Sequence, residues 1–554
     1  MQKILRFREK KISITNCKIE RLDHLGIIAG VIKDLKIIEL IDEKLGVHKD
    51  ESISAGESVA GMIINGLGFS NKPMSLTPLF FEHIPLELLF REGVKADDFN
   101  RFKLGRVLDR CHSYGTELLF NEIALNVCQQ EKVDTKFNSL DTTTFTLTGD
   151  YLGETDDDTV EIKLGYSKDH RPDLKQVMLE MMVCHDGGIP LLGKALNGNA
   201  SDNKVFEERS KALIEQFRAS ETPRYLIGDS KLYSESNAEN LKNLLFITRI
   251  PNTIKEVGLT IDKALALPND WKTLDDDRKM QTFTVEHYGI KQRWHVVSSE
   301  TSRQQAIKQV DKQVKKATEI VEKQVFHFQA RRFACVDDAL ADLQIVARKW
   351  KYHTLKSYQI VEHQAFEGKG RPKKDQEPTK TEYQVIAEFE ADMQKINLEK
   401  AKEGHYVIGS NTDANELSDA EVIAAYKQQQ QVERGFRFLK DPLFFASSLF
   451  LKNPKRIMAL LMVMLLSLLV YGIAERRMRA CLAEQEETLP NQIGLDVEAP
   501  TLRWVFQLLY GINYLDVSLG EQRHQIIEGI TPLKQKILRL FGKSVADVYQ
   551  ISWV

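Results

Sequence analysis

Eighteen consecutive residues, Ile457 to Ala474, read IMALLMVMLLSLLVYGIA without a single charge. Only two environments satisfy such a run: a bilayer, or the interior of a large core. Its length just reaches the minimum for a membrane span. Lys452, Lys455 and Arg456 precede it and Arg476, Arg477 and Arg479 follow it, so both flanks are positive and no orientation is preferred. The sequence offers no second span. We expect a buried core helix and no membrane.

The chain is long enough for such a core. Its 554 residues correspond to about three to five domains. Hydrophobic residues make up 42% and charged residues 28%, which excludes a disordered or fibrous chain. The formal net charge is -3, so bulk charge gives no sign of nucleic acid, and any such function needs local patches. The six cysteines, Cys17, Cys111, Cys128, Cys184, Cys335 and Cys481, fit neither a disulfide framework nor a CxxC zinc site. Reduced thiols in a cytosolic protein are expected. Met1 to Lys11 is basic but no apolar run follows, so it does not read as a signal peptide.

Apolar residues recur at helical spacing from about Leu22 to Val127, and Ser54-x-x-Glu57 is a capping box. At about Lys136 the pattern turns to strands. FNSLDTTTFTLTGD, TVEIKLGYS and QVMLEMMVCHDGGIPLLGKAL follow one another, the last being two strands joined by a His-Asp-Gly-Gly turn. Then come a helix (NKVFEERSKALIEQF), a strand ending in Asp229 (RYLIGDS) and a strand (LLFITRI). A three-strand meander followed by alternating helix and strand is a ribonuclease-H-like order. A mixed stretch from about Pro251 to Glu403 interrupts it. After this, HYVIGSNT reads as a strand, and a helix opens on Ser418-x-x-Glu421 and stops at Asp441-Pro442. The expected architecture is an α/β ribonuclease-H-like catalytic core with a large insertion domain, an all-α N-terminal domain and a helical C-terminal region. The boundaries are 1–130, 131–250 and 405–475 (the two parts of the core), 251–404 and 476–554.

Three carboxylates stand out. Asp141 lies inside a β-branched strand, where Asp is depleted and a half-buried carboxylate is costly unless paired. Asp229 ends the apolar strand YLIG. Glu433 sits in QQQVERGFRFLK. Singly each has a bland reading as a turn cap or a solvated helix residue. In a ribonuclease-H-like sheet the first and fourth strands are neighbours, so the two aspartates converge and a helix packed on the sheet can add the glutamate. Three oxygen ligands suit Mg2+ (or Mn2+), and two such ions about 3.5–4 Å apart serve phosphodiester chemistry. Tyr426, Gln429, Glu433 and Lys440 stand at offsets 0, 3, 7 and 14. On one straight helix these fall within about 60° of each other, a face suited to a metal ligand flanked by DNA contacts.

That spacing resembles the Tyr-Arg-Glu-Lys signature of bacterial insertion-sequence DDE transposases of the "IS four" superfamily. Asp141 in SLDTTTF and Asp229 in LIGDSKLYS look like the family's first and second acids. GYSKDHRPDLKQVML and NGNASDN are similar to stretches of its "sixteen-thirty-four" branch. One position departs: Gln429 stands where the signature has Arg, losing a charge and a bidentate fork. The resemblance implies metal-dependent cleavage of transposon ends, then attack of the freed 3′-OH on target DNA, with Asp141, Asp229 and Glu433 as catalytic metal ligands. It further implies double-stranded transposon-end and target DNA as partners, a homodimer in the synaptic complex, and a bacterial cytoplasm in which the bound enzyme is nucleoid-associated. Two alternatives stay open: a catalytically inactive DNA-binding derivative, and another ribonuclease-H-like nuclease.

DNA affinity at net charge -3 requires segregated charge. Thr301 to Lys380 carries 17 Lys+Arg and 10 Asp+Glu, a net of +7. Lys440, Lys452, Lys455 and Arg456 form a second cluster, and the KILRFREKK tail a third. Within the insertion, Gly368-Lys369-Gly370-Arg371-Pro372-Lys373-Lys374 resembles the Gly-Arg-Pro core of an A·T-hook, which makes Arg371 and Lys373 candidate minor-groove contacts. His185-Asp186 reads as a hairpin turn and Asp202 as a helix cap.

Overall fold

A computed structural model describes residues 4–7, 10–151, 158–365, 378–444, 451–519 and 522–552. The chain divides into two compact units, Met1–Thr248 with Ser410–Val554, and Arg249–Gly409.

The first unit begins with a strand pair, β1 (Ile4–Phe7) and β2 (Lys10–Arg21). β2 pairs antiparallel with the strand Asn513–Leu519, which pairs in turn with Gln522–Glu528. Both chain ends therefore build one four-stranded sheet. This corrects two expectations: residues 1–130 are not all helical, and 476–554 is not a helical region alone. The alternating Ile12 and Ile14 in β2 carry a strand signal that the surrounding lysines mask. Gln522–Glu528 is almost wholly exposed, so it shows no apolar alternation to read.

Helices follow, including Ala55–Leu67, Arg101–Tyr114 and Thr116–Gln130. Ser54 caps the first of these with the reciprocal Glu57 bond, as the capping box predicts. The core sheet comes next: β3 (Phe137–Leu147), β4 (Lys175–Cys184), β5 (Pro190–Leu196), β6 (Tyr225–Gly228) and β7 (Leu245–Arg249). They lie in the order β5-β4-β3-β6-β7. β3, β4 and β5 form an antiparallel meander, whereas β6 runs parallel to β3 and β7 parallel to β6. A mixed sheet of this order has the meander-then-crossover arrangement expected from the sequence. The His185–Gly188 turn joins β4 to β5, with φ of +82° at Gly187 and +66° at Gly188, a conformation that a side chain would strain.

The apolar run lies within a 31-residue helix, Pro454–Glu484. By length and composition this helix could cross a membrane, yet 89% of its most apolar window is buried inside the protein. It packs against the three helices named above and against β5. The charges at its ends are bound by acids. Arg456 makes a two-pronged pair with Asp109 at 2.8 and 2.7 Å, Arg477 meets Glu131 at 2.6 Å and Asp34 at 2.8 Å, and Arg476 meets Asp186 at 2.8 Å. Arg456, read from sequence as part of a DNA-facing cluster, is thus engaged within the fold. One apolar core runs through the N-terminal helices, β3 to β5, the apolar helix and the C-terminal segment. The sequence boundaries at 130 and 475 therefore do not separate cores.

The second unit has its own small core of Val321, Val325, Phe328, Ala339, Leu343, Trp350, Val385 and Ala387. Its elements include the antiparallel pair Arg278–His287 and Ile290–Ser299, a 30-residue helix Glu300–Gln329, and the hairpin His353–Ala365 with Lys380–Ala391. The Gly368–Lys374 loop, with Arg371 and Lys373, lies outside the described residues.

Candidate active site

Strand register sets the two aspartates side by side. β3 and β6 pair in parallel through Phe137↔Tyr225, Asn138↔Leu226 and Ser139↔Ile227. Two residues further along each strand stand Asp141 and Asp229, at the same level, just past the point where the strands stop pairing. Their carboxylates repel each other. Burial is the first cause pushing the Asp141 carboxyl up to about 6; the Lys168 ammonium and the Thr142 amide oppose the rise, and Asp229 and Asp202 add to it. The Thr142 amide donates to Asp141 Oδ1 at 2.7 Å, and the Lys231 amide donates to Asp229 Oδ1 at 2.9 Å.

Three further residues converge here. Asp202 opens the helix Asp202–Arg218 that follows β5. It accepts from Thr142 Oγ1 at 2.7 Å and forms an ion pair with Lys231. The Lys168 ammonium donates to Thr142 O at 2.5 Å and Oγ1 at 2.7 Å, and lies 3.7 Å from both Asp141 Oδ1 and Asp202 Oδ2. Sequence reasoning missed this set. Asp202 is more than the helix cap it was read as: Ser201 holds the capping position, and Asp202 turns toward β3. The available signal was that Lys168 and Lys231 both fall inside stretches that carried the family resemblance.

The helix expected to carry Tyr426, Gln429, Glu433 and Lys440 on one face is two helices, Asp419–Lys427 and Gln430–Leu439. At the joint the amides of Gln429, Gln431 and Val432 bond three residues back rather than four, which tightens the turn. Extrapolation at 100° per residue fails across it. Tyr426 is partly buried in the first helix, and Gln429 is buried at the start of the second. Gln429 is thus largely withdrawn from solvent in this arrangement.

In the second helix Val432, Gly435, Phe436 and Leu439 are buried, and Glu433 lies on the exposed flank. A Cβ on Gly435 would sit 2.8 Å from Met181 Cε, and Met181 is the cross-strand partner of Asp141. The glycine so lets the helix lie close to the sheet beside the acid. Lys440 ends the helix, pairs with Asp169 at 2.7 Å and sits 5.8 Å from the centre of the Phe145 ring. The structure thus joins Asp141 and Asp229 and brings Lys440 to the far end of β3. It does not join Glu433 to the pair: among the described residues, no three His, Cys, Asp or Glu side chains lie close enough to hold a metal ion together.

The arrangement offers two adjacent carboxylates at a sheet end, hemmed by two lysines, with a third acid on a neighbouring helix. No curated protein matches the chain. A solved structure, the cryo-EM piggyBac transposase synaptic complex with hairpin DNA, is similar at 11% identity and a TM-score of 0.36, over 90% of this chain and 83% of that one. Residues 17–125 match a domain of unknown function, DUF4277. Residues 135–470, more than half of the chain, match the family described as "Transposase DDE domain", and all three acids fall inside the match. The chain therefore belongs to the DDE transposase family and is a DNA transposase.

Proposed function

We propose that Asp141 and Asp229 hold a divalent cation, Mg2+ or Mn2+, for cleaving transposon ends and joining them to target DNA. The observation that carries this is the register of β3 and β6, which sets the two acids level with each other just past the last residues these two strands pair. The donor set fits. Mg2+ retains several waters and is commonly held by one or two carboxylates plus phosphate oxygens of the substrate. A carboxyl raised toward neutrality by burial and a neighbouring acid is also one whose charged form a cation stabilises. The cation would supply charge stabilisation for phosphodiester cleavage and transfer.

The protein's own residues do the rest. The Thr142 and Lys231 amides fix the two carboxylates in place. Glu433 supplies the third acid from the exposed flank of its helix, and would reach the pair by a shift of that helix or its side chain. Lys440, paired with Asp169, is placed to exchange that partner for DNA phosphate. Lys308, Lys312, Lys315 and Lys316 are exposed along the Glu300–Gln329 helix within about 100° of one another, and would bind DNA backbone. Membership of the "IS four" superfamily and its "sixteen-thirty-four" branch, a homodimer on paired ends, and a bacterial cytoplasmic location rest on the sequence resemblance.

The test is cleavage of end DNA by Asp141→Asn, Asp229→Asn and Glu433→Gln. Each is expected to lose cleavage with Mg2+ or Mn2+ while end binding largely survives, because each removes a charge with little change of shape. Normal cleavage by any one of them removes that residue from the site.

A further inference from the structure

Asp202 has the best-satisfied carboxylate of the cluster, yet it adds negative charge beside two acids that already repel each other. Its side chain is 12% exposed and is held at both oxygens, Oδ1 by Thr142 Oγ1 and Oδ2 by the Lys231 ammonium. Lys231 stands two residues after Asp229, and its amide is already bonded to the Asp229 carboxylate. Its side chain pairs with Asp202. Lys168 is tethered through Thr142, equidistant at 3.7 Å from Asp141 and Asp202. Lys168 thus pairs with Asp141 and Asp202 alike, and Asp202 is the counter-charge that engages Lys231 and shares Lys168.

The charge count gives this a consequence. With Asp202 the cluster holds three carboxylates against two ammonium groups, a net of -1. Without it the balance is zero, Lys231 is released, and Lys168 is left to Asp141 alone. A divalent cation would then compete with two internal cations for the same oxygens.

We propose that Asp202 is a positioning residue that holds Lys231, and draws Lys168 in part, away from the Asp141–Asp229 pair and so sets how tightly that pair takes a divalent cation. This rests on the reading of Asp141 and Asp229 as the cation-holding pair. Asp202 itself ligates nothing. Its effect passes through the lysines, so removing a lysine should undo the removal of Asp202.

The test is Mn2+ binding to the full chain without DNA, read as free Mn2+ by electron paramagnetic resonance, with circular dichroism and melting recorded for each variant. Asp202→Asn should weaken Mn2+ binding about tenfold, and Lys231→Gln alone should tighten it about threefold. The double variant should bind within about threefold of Lys231→Gln, because most of the Asp202→Asn effect needs Lys231. An unchanged affinity in Asp202→Asn overturns the proposal. So does a double variant about tenfold weaker than Lys231→Gln, since that is the additive result expected of a ligand or a structural support. If Asp202→Asn fails to fold, Lys231→Gln decides alone, and unchanged or weaker binding there overturns the proposal. Asp141→Asn separates the two levels. Wild-type Mn2+ affinity in that variant removes the cation-holding pair itself; lost affinity there, with no response at Asp202 or Lys231, removes only the present inference.

Discussion

Two helices of nearly equal length divide the work of this fold. Pro454–Glu484 has 31 residues, of which 18 are buried. Glu300–Gln329 has 30, of which only Val310, Val321, Val325 and Phe328 are buried. The first is surrounded by helices and sheet drawn from both ends of the chain. Its one polar residue in the middle, Ser467, satisfies itself by donating back to Val463 O at 2.9 Å. The second presents one apolar stripe to a small core and leaves its lysines in water. Helix propensity and length are shared; burial is what differs. The stability of the first unit, and with it the support beneath the Glu433 helix, is therefore concentrated in a segment with almost no tolerance for charge. Substitutions on the exposed face of the second helix should leave its small core intact.

Substitution by Asp sharpens the contrast most. Leu466 is fully buried, so Leu466→Asp should cost more than about 4 kcal/mol and yield insoluble protein. Ile320 on the other helix is 57% exposed, and Ile320→Asp should change stability by less than about 0.5 kcal/mol. Soluble yield and thermal melting check both; equal losses would break the comparison.

Next come the charges that anchor each helix. Arg477 is 18% exposed between Glu131 and Asp34, so Arg477→Met strands two acids and should cost about 3 kcal/mol in urea unfolding. Lys400, paired with Asp311 of the polar helix at 2.5 Å, is a peripheral counterpart, and Lys400→Met should cost at most about 1 kcal/mol.

The smallest effect near neutral pH is titration. His24 is buried, stacked on Phe506 with ring centres 4.2 Å apart, and burial lowers its pKa from 6.5 to about 4. The folded state keeps it neutral while the unfolded chain takes up a proton at 6.5. Its contribution is therefore complete above pH 6.5 and is lost as pH falls toward 4. The loss is about 1 kcal/mol by pH 5.5 and about 3 kcal/mol at pH 4 and below. His24→Phe should flatten the acid limb of the stability curve by those amounts, and an unchanged limb would show that the ring does not stay neutral.

Part of the candidate site was legible because strand periodicity and element order can be read along the chain. Asp141 and Asp229 follow from a strand order readable in the pattern of meander and crossover, and the parallel register then fixes them as neighbours. The Glu433 helix was legible as a helix with an apolar face. It was not legible as two helices, because the run Gln428-Gln429-Gln430-Gln431 contains no Gly or Pro to mark the joint. Lys168, Asp202 and Lys231 come from three separate connections, and their meeting depends on the whole sheet being assembled. At the chain ends, β2 was hidden by its lysines and its partner Asn513–Leu519 by nearly five hundred intervening residues.

The sequence by itself determined the periodicities: a helix at 457–474 that had to be buried, strands bearing one acid each, and an interruption between 251 and 404 that falls in the second unit. Those are local properties, set by which side chains face water along a repeating backbone. Only the tertiary structure decided which charges remain available. Arg456 and Asp109 are 347 residues apart and Arg477 and Asp34 are 443 apart, yet each pair closes within 3 Å. A charge counted along the chain carries no record of its partner. Coulomb energy depends on distance through space, and the fold alone sets that distance.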